Sequence, residues 1–154
     1  MSNGLPRILL VEDSILDAEL ALKALAASHL ANEVLHLSDG AQALDYLFRR
    51  GAFAQEAGGL PAVVLLDLKM PKIDGMEVLR QLKNDAVLKA LPVVIMTSSR
   101  EEQDLVQSYA LGVNAYVVKP VQFENFVEAV QQVGVFWAVL NEPPPLSIPP
   151  PIGA

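Results

Sequence analysis

The sequence predicts an α/β fold with a doubly wound parallel sheet, and three observations predict it. Five short apolar runs alternate with five longer segments of helical period. The central run, Ala62-Val63-Val64-Leu65-Leu66, is apolar without alternation, as a strand covered by helices on both faces must be. Polar and charged residues collect just after the runs, at Glu12-Asp13, Asp67, Thr97 and Lys119, where open α/β sheets carry their ligand crevice.

The first strand is Ile8-Leu9-Leu10-Val11. A helix follows, because Ile15, Ala18, Leu22 and Leu25 recur at spacings of three and four, with Ser14 placed to cap it. Strand two is Val34-Leu35-His36-Leu37, after which Ser38-Asp39-Gly40 turns the chain into a helix with Ala43, Leu44, Leu47 and Phe48. Three glycines between Gly51 and Leu60 mark a loop. Strand three ends at Asp67, and the segment from Lys69 to Gly75 is a loop. The helix beyond it runs through Val78, Leu79 and Leu82 and ends near Asn84-Asp85. Strand four, Val93-Val94-Ile95-Met96, finishes at Thr97-Ser98-Ser99. The next helix carries Leu105, Val106, Tyr109 and Ala110 and is expected to stop at Gly112. Strand five, Ala115-Tyr116-Val117-Val118, ends at Lys119-Pro120. The last helix begins near Gln122, with Phe123, Phe126, Val127, Val130 and Val133 apolar, and is expected to extend to residue 140. From Pro143, six prolines in nine residues exclude helix and strand. The expected organisation is one domain over residues 1–140 and a proline-rich tail over 141–154.

With 154 residues, a hydrophobic fraction of 52% and only 19% charged residues, the chain can build one well-buried core. Eighteen acids against eleven bases give a formal charge of -7, which repels nucleic acid and anionic membranes. Cysteine is absent, which removes disulfides and thiolate metal sites and suits a reducing compartment. The amino terminus lacks a basic region followed by an apolar stretch, and no apolar run approaches the roughly 20 residues that span a bilayer. These features lead us to expect a soluble cytoplasmic protein that binds neither nucleic acid nor membrane.

The strand tips carry the chemistry. Three carboxylates gathered within hydrogen-bonding distance cannot all stay ionised without a cation, because each like charge disfavours the next. Oxygen donors with room for water suit magnesium, so Asp13 and Asp67 are the best direct ligands and Glu12 a ligand through water. A carboxylate can also attack phosphorus, and Lys119, Thr97 and the metal would neutralise the oxygens of a phosphoryl group on Asp67. Plainer readings exist for each residue taken alone. Glu12-Asp13 can be a solvated first helical turn, Thr97 a helix cap, Lys119 a surface lysine, and Tyr116 a strand aromatic. His29 and His36 have no partner spacing for a metal.

Taken together, these residues resemble the receiver domains of two-component signalling. The markers are Leu10-Val11-Glu12-Asp13, Leu66-Asp67-Leu68-Lys69-Met70-Pro71, Asp74-Gly75, Thr97 and Lys119-Pro120, within residues 7 to 133. The resemblance implies a flavodoxin-like (βα)5 fold with strand order 2-1-3-4-5. It implies that Asp67 accepts a phosphoryl group from a histidine kinase, as a switch in a phosphorelay and not as an enzyme, with slow self-dephosphorylation. It implies Mg2+ on Asp13, Asp67 and the backbone carbonyl of Lys69, and a cis Lys119-Pro120 peptide. Thr97 and Tyr116 would move on phosphorylation, changing the surface of helix four, strand five and helix five. Lys69, two residues after the acceptor, occupies a family-variable position that affects dephosphorylation.

A narrower resemblance is to the single-domain regulators that serve bacterial phytochromes. Thr97-Ser98-Ser99, Asp104, the run from Tyr109 to Tyr116, and Phe136-Trp137 carry it. It implies such a phytochrome as the partner kinase. The run Val133 to Leu140 is apolar on nearly every side, so Phe136 and Trp137, with Tyr109, are expected at an interface, most simply a homodimer. Packing of this run on its own domain is the alternative. Two other functions stay open from the residues alone: a phosphohydrolase using Asp67 as nucleophile, and a flavodoxin-like electron carrier. Lys69 stands where haloacid-dehalogenase-like phosphatases need a second acid, and Glu12-Asp13 would repel a flavin phosphate.

Overall fold

The computed structural model describes residues 6–27, 32–56, 58–113 and 115–134. Strands β1 (Ile8–Val11), β2 (Val34–Leu37), β3 (Val63–Asp67), β4 (Val93–Thr97) and β5 (Tyr116–Val118) alternate with five helices. These are α1 (Ile15–Ala26), α2 (Gly40–Leu47), α3 (Gly75–Lys83), α4 (Arg100–Ser108) and α5 (Phe123–Gln132). Every strand pair is parallel, and the order is β2-β1-β3-β4-β5. The flavodoxin-like strand order that the receiver resemblance implies is therefore present.

Strand side chains alternate between two cores, one on each face of the sheet. Ile8, Leu10, Val63, Leu65 and Val94 pack with Ala21 and Leu25 of α1 and with Phe126 and Val130 of α5. Leu9, Val11, Val64, Leu66 and Ile95 pack with Leu44 and Leu47 of α2 and with Leu79 and Leu82 of α3. Both faces of β1, β3 and β4 are thus buried, which is why their sequences show no polar alternation. Each fully buried aliphatic side chain contributes about 1.5–3 kcal/mol, so this double core fixes the strand register.

Four of the helices start on a side-chain cap. Ser14, Asp39, Asp74 and Ser99 each accept the N–H three residues ahead, at 3.2, 2.8, 2.9 and 3.3 Å. Such a bond contributes about 1 kcal/mol and sets where the chain leaves the sheet. The cap of α4 is Ser99 and not Thr97, which leaves the Thr97 hydroxyl for another purpose.

The boundaries differ from the sequence reading in a few places. Helix α4 ends at Ser108 and does not carry Tyr109 and Ala110 on to Gly112. The Ser108 hydroxyl takes the Leu105 carbonyl at 2.6 Å, the acceptor that the next helical N–H would need. Tyr109 and Ala110 then close tight turns onto Val106 and Gln107, with Ala110 at φ 53°. Phe48 is the residue that ends α2, β5 begins at Tyr116, and Gly51–Phe53 form one 3-10 turn inside the expected loop. Helix α5 ends at Gln132, and Gly134 has φ 79°. The expected extension from 135 to 140 and the tail over 141–154 lie outside the described residues, as does His29. Among the described residues, no helix is long and apolar enough to cross a membrane.

Candidate functional site at the carboxyl rim of the sheet

Parallel register builds the rim. Val11 pairs with Leu66, so Glu12-Asp13 leave β1 beside Asp67; Thr97 pairs with Val118, so Lys119 leaves β5 beside Thr97. Backbone bonds extend the ladder past the strand ends, from Glu12 N–H to the Leu37 carbonyl at 3.0 Å and from Lys119 N–H to the Thr97 carbonyl at 2.8 Å. Glu12, Asp67 and Lys119 continue the alternating series that faces α1 and α5, whereas Thr97 continues the series of Val93 and Ile95 on the other face. The Lys119-Pro120 peptide is cis.

Gly75 lets helix α3 approach this rim. A Cβ there would lie 2.2 Å from the Asp67 carbonyl oxygen and 2.8 Å from the Leu68 Cα. Only glycine fits, and its N–H reaches the Leu68 carbonyl at 2.8 Å. The Asp74-Gly75 pair thus caps a helix and anchors the loop behind the acidic residue in a single turn.

The charges meet around Lys119. Its Nζ lies 3.1 Å from Asp67 Oδ1, 3.2 Å from Asp17 Oδ2 and 3.3 Å from Glu12 Oε1, which uses all three donors of the ammonium. Carboxylate oxygens of Glu12, Asp13 and Asp67 lie within 4.8 Å of one another. Glu12 and Asp67 are 1% and 3% exposed, while Asp13 faces solvent. Burial, then the hydrogen bond with Asp67, pushes the Glu12 carboxyl up to about 7. Burial raises Asp67 as well, against the lowering effect of its bonds to Glu12 and Lys119. For Lys119, burial pulls the other way, but the hydrogen bond to Asp67 and the charges of Asp67 and Glu12 outweigh it, so its pKa is raised. The rim is short of positive charge, and the donors on offer are all oxygen. That combination fits a hard divalent cation.

The other predicted residues fall in different places. Thr97 is fully buried, and its Oγ1 has no hydrogen-bond partner among the described residues, at a cost of about 1–3 kcal/mol. The Lys69 side chain turns away from the acids to Glu102 Oε2 at 3.1 Å, so only its backbone is available to the rim. Glu102 also accepts the Ser98 N–H at 2.8 Å. Burial disfavours the Glu102 charge, but those two donors hold its carboxyl below the ordinary value. Tyr116 is half-buried, with its hydroxyl donating to the Val113 carbonyl at 3.3 Å. It borders a cavity of about 260 Å³ shared with Gln103, Asn125 and Glu128. Tyr109 is 61% exposed beside Leu105 and Leu111. Phe136 and Trp137 lie outside the described residues.

Three residues at the site were not singled out from the sequence. Asp17 contacts Lys119, and its position one helical turn beyond Asp13 was the available signal. Glu102 stands three residues after Ser99, the spacing of a capping box. His36, which has no partner spacing for a metal, is exposed and donates from Nε2 to the Glu12 carbonyl at 2.8 Å.

A family model described as the response regulator receiver domain matches residues 8–131. The chain belongs to this family. It is similar to response regulator Rcp1 of Synechocystis, 40% identical over 136 residues that cover 88% of this chain and 91% of that protein. Among solved structures, the bacteriophytochrome response regulator RtBRR is 60% identical with a TM-score of 0.84, over 92% of this chain and 85% of that one. The Mn2+-bound form of Rcp1 has 38% identity and a TM-score of 0.68, covering 86% and 94% of the two chains. The phosphorylated cyanobacterial phytochrome response regulator RcpA has 39% identity and a TM-score of 0.69, over the same shares. The chain is therefore a response regulator of two-component signalling, a switch that accepts a phosphoryl group. The phosphohydrolase and electron-carrier readings are set aside.

Proposed function

We propose that Asp67 is the residue that carries the phosphoryl group, delivered by a histidine kinase. The observation that supports this most is the meeting of Asp67 with Glu12 and Asp13 within 4.8 Å and with Lys119 at 3.1 Å. An Asp67 oxygen forms the bond to phosphorus as the bond from phosphorus to the donor imidazole nitrogen breaks. The electron pair leaves with the imidazole, which takes up a proton. Asp67 must be ionised to attack, and Lys119 favours that ionisation. Lys119 then neutralises charge on the transferred oxygens, and the unpaired Thr97 hydroxyl gains an acceptor.

Asp13 and Asp67 would hold Mg2+ directly, with Glu12 acting through water and the Lys69 carbonyl completing the protein's share. The bound cation supplies positive charge for the acids and the phosphoryl oxygens. Movement of Thr97 and Tyr116 is the proposed switch, read out on the α4, β5 and α5 surface. Self-dephosphorylation is slow on this reading, and Lys69, two residues after the acceptor, holds the position that affects its rate. The 60% identity to RtBRR favours a bacterial phytochrome as the kinase. The protein acts in the cytoplasm as a stand-alone regulator and as a homodimer through Tyr109, Phe136 and Trp137.

The test is to weigh the intact protein after acetyl phosphate and Mg2+. A phosphoryl adduct is expected on the wild type and not on Asp67→Asn. No adduct on the wild type, or an equal one on the variant, rejects the proposal.

A further inference from the structure

Among the described residues, Asp17 is the one acid on Lys119 that belongs neither to the acceptor nor to the acids that could share a cation. Glu12, Asp13 and Asp67 form that set, and Glu12 and Asp67 are also two of the three acceptors that hold the Lys119 ammonium. The third acceptor, Asp17 Oδ2 at 3.2 Å, comes from the first turn of α1. That turn is fixed from below, since the Asp17 N–H is held by Ser14 Oγ and the Ser14 N–H by Glu12 Oε2 at 3.1 Å. The Asp17 carboxylate is therefore aimed by the helix start, and it makes no capping bond of its own among those described.

We infer that Asp17 is a positioning residue, which keeps the Lys119 ammonium at the rim when a cation claims Glu12 and Asp67. This rests on the proposed phosphoryl chemistry of Asp67. A dication repels an ammonium, and two of the three carboxylates that hold Lys119 turn to the dication when it binds. Asp17 is then the anchor from which Lys119 reaches a phosphoryl oxygen. An opposing effect exists, because the Asp17 charge also repels the incoming anion. Direct contact with Lys119 outweighs it: a charge-assisted bond at 3.2 Å acts without intervening solvent, whereas repulsion across the lysine acts at about twice that range from a side chain 32% exposed.

The two effects give opposite results in Asp17→Asn, which keeps the shape and the backbone bond to Ser14. Two measurements separate them. One is the rate of adduct formation with acetyl phosphate at saturating Mg2+ in the wild type, Asp17→Asn, Lys119→Gln and the double variant. Asp17→Asn is expected to slow the wild type about five-fold, a coupling of about 1 kcal/mol, and to change the Lys119→Gln background less than two-fold. The other is reductive methylation of Lys119 at saturating Mg2+ and without it, followed by peptide mass spectrometry; Asp17→Asn is expected to accelerate it several-fold with Mg2+ and less without it, where Glu12 and Asp67 still hold the ammonium. A rate that rises or stays unchanged, an equal loss in both backgrounds, or unchanged methylation overturns the inference. Absence of any adduct on the wild type is a different failure, because it removes the chemistry of Asp67 itself and this inference with it.

Discussion

The two sides of Asp67 are built differently. Toward α1, Asp67, Glu12 and Asp17 all close on one ammonium within 3.3 Å. Toward α4, Asp67 pairs with Met96, and the next residue, Thr97, buries a hydroxyl that has no partner among the described residues. One side is saturated with bonds in the resting protein and the other is not. A switch needs both: fixed charge to bind and orient the phosphoryl group, and an unsatisfied group whose energy improves only when that group arrives.

Removing the fixed charge has the largest expected effect. Lys119→Met should slow phosphoryl acceptance by about 10²-fold, the effect of deleting a donor aimed at developing charge. It should also lower the thermal midpoint of the metal-free protein, because Glu12 and Asp67 lose their counter-charge in a buried site. Saturating Mg2+ should restore part of that midpoint. Equal losses with and without Mg2+ would mean that Lys119 is not neutralising these acids.

Thr97→Val should give the opposite pattern on the opposite side. Deleting an unpaired hydroxyl should leave the resting protein unchanged or up to about 1 kcal/mol more stable by denaturant melts. Affinity for beryllofluoride in excess Mg2+ should fall about ten-fold, which is about 1.4 kcal/mol. A clear loss of resting stability would show that the hydroxyl is already bonded and would erase the contrast.

The smallest effect comes from pH. Glu12 is raised to about 7 in the folded protein from an ordinary 4.5, so the native state keeps a proton that the unfolded chain releases in that window. Its contribution to metal-free stability is full below the ordinary value and is lost as pH rises through the folded one. Cation binding requires the ionised carboxylates. The gain in thermal midpoint from Mg2+ should therefore be larger at pH 8 than at pH 5.5, by a few degrees, about 1 kcal/mol for a domain of this size. A pH-independent gain would place the cation away from Glu12.

Much of this was legible in the sequence, for physical reasons that differ by element. Short apolar runs such as Val63 to Leu66, bounded by Pro61 and Pro71, read as strands buried on both faces, and parallel strands bring their carboxyl ends to one rim. That placed Glu12, Asp13, Asp67, Thr97 and Lys119 together before any coordinates. What escaped depends on where long side chains go. Lys69 looks like part of the site, but Glu102, a residue of α4, draws its side chain off. Asp17 looks like one more helical acid, and only the meeting of α1 with the end of β5 gives it Lys119. The end of α4 was missed because the Ser108 hydroxyl competes with the helix for a carbonyl, a local contest that apolar periodicity does not register.

On the proposed reading a single carboxylate, Asp67, takes the phosphoryl group with help from a cation. Borohydride reduction converts an aspartyl phosphate to homoserine, which peptide mass spectrometry locates. After acetyl phosphate treatment, homoserine should be found at position 67 alone, and only in samples that contained Mg2+. Homoserine at another position, or the same yield after removal of Mg2+ with a chelator, would contradict a cation-assisted transfer to Asp67.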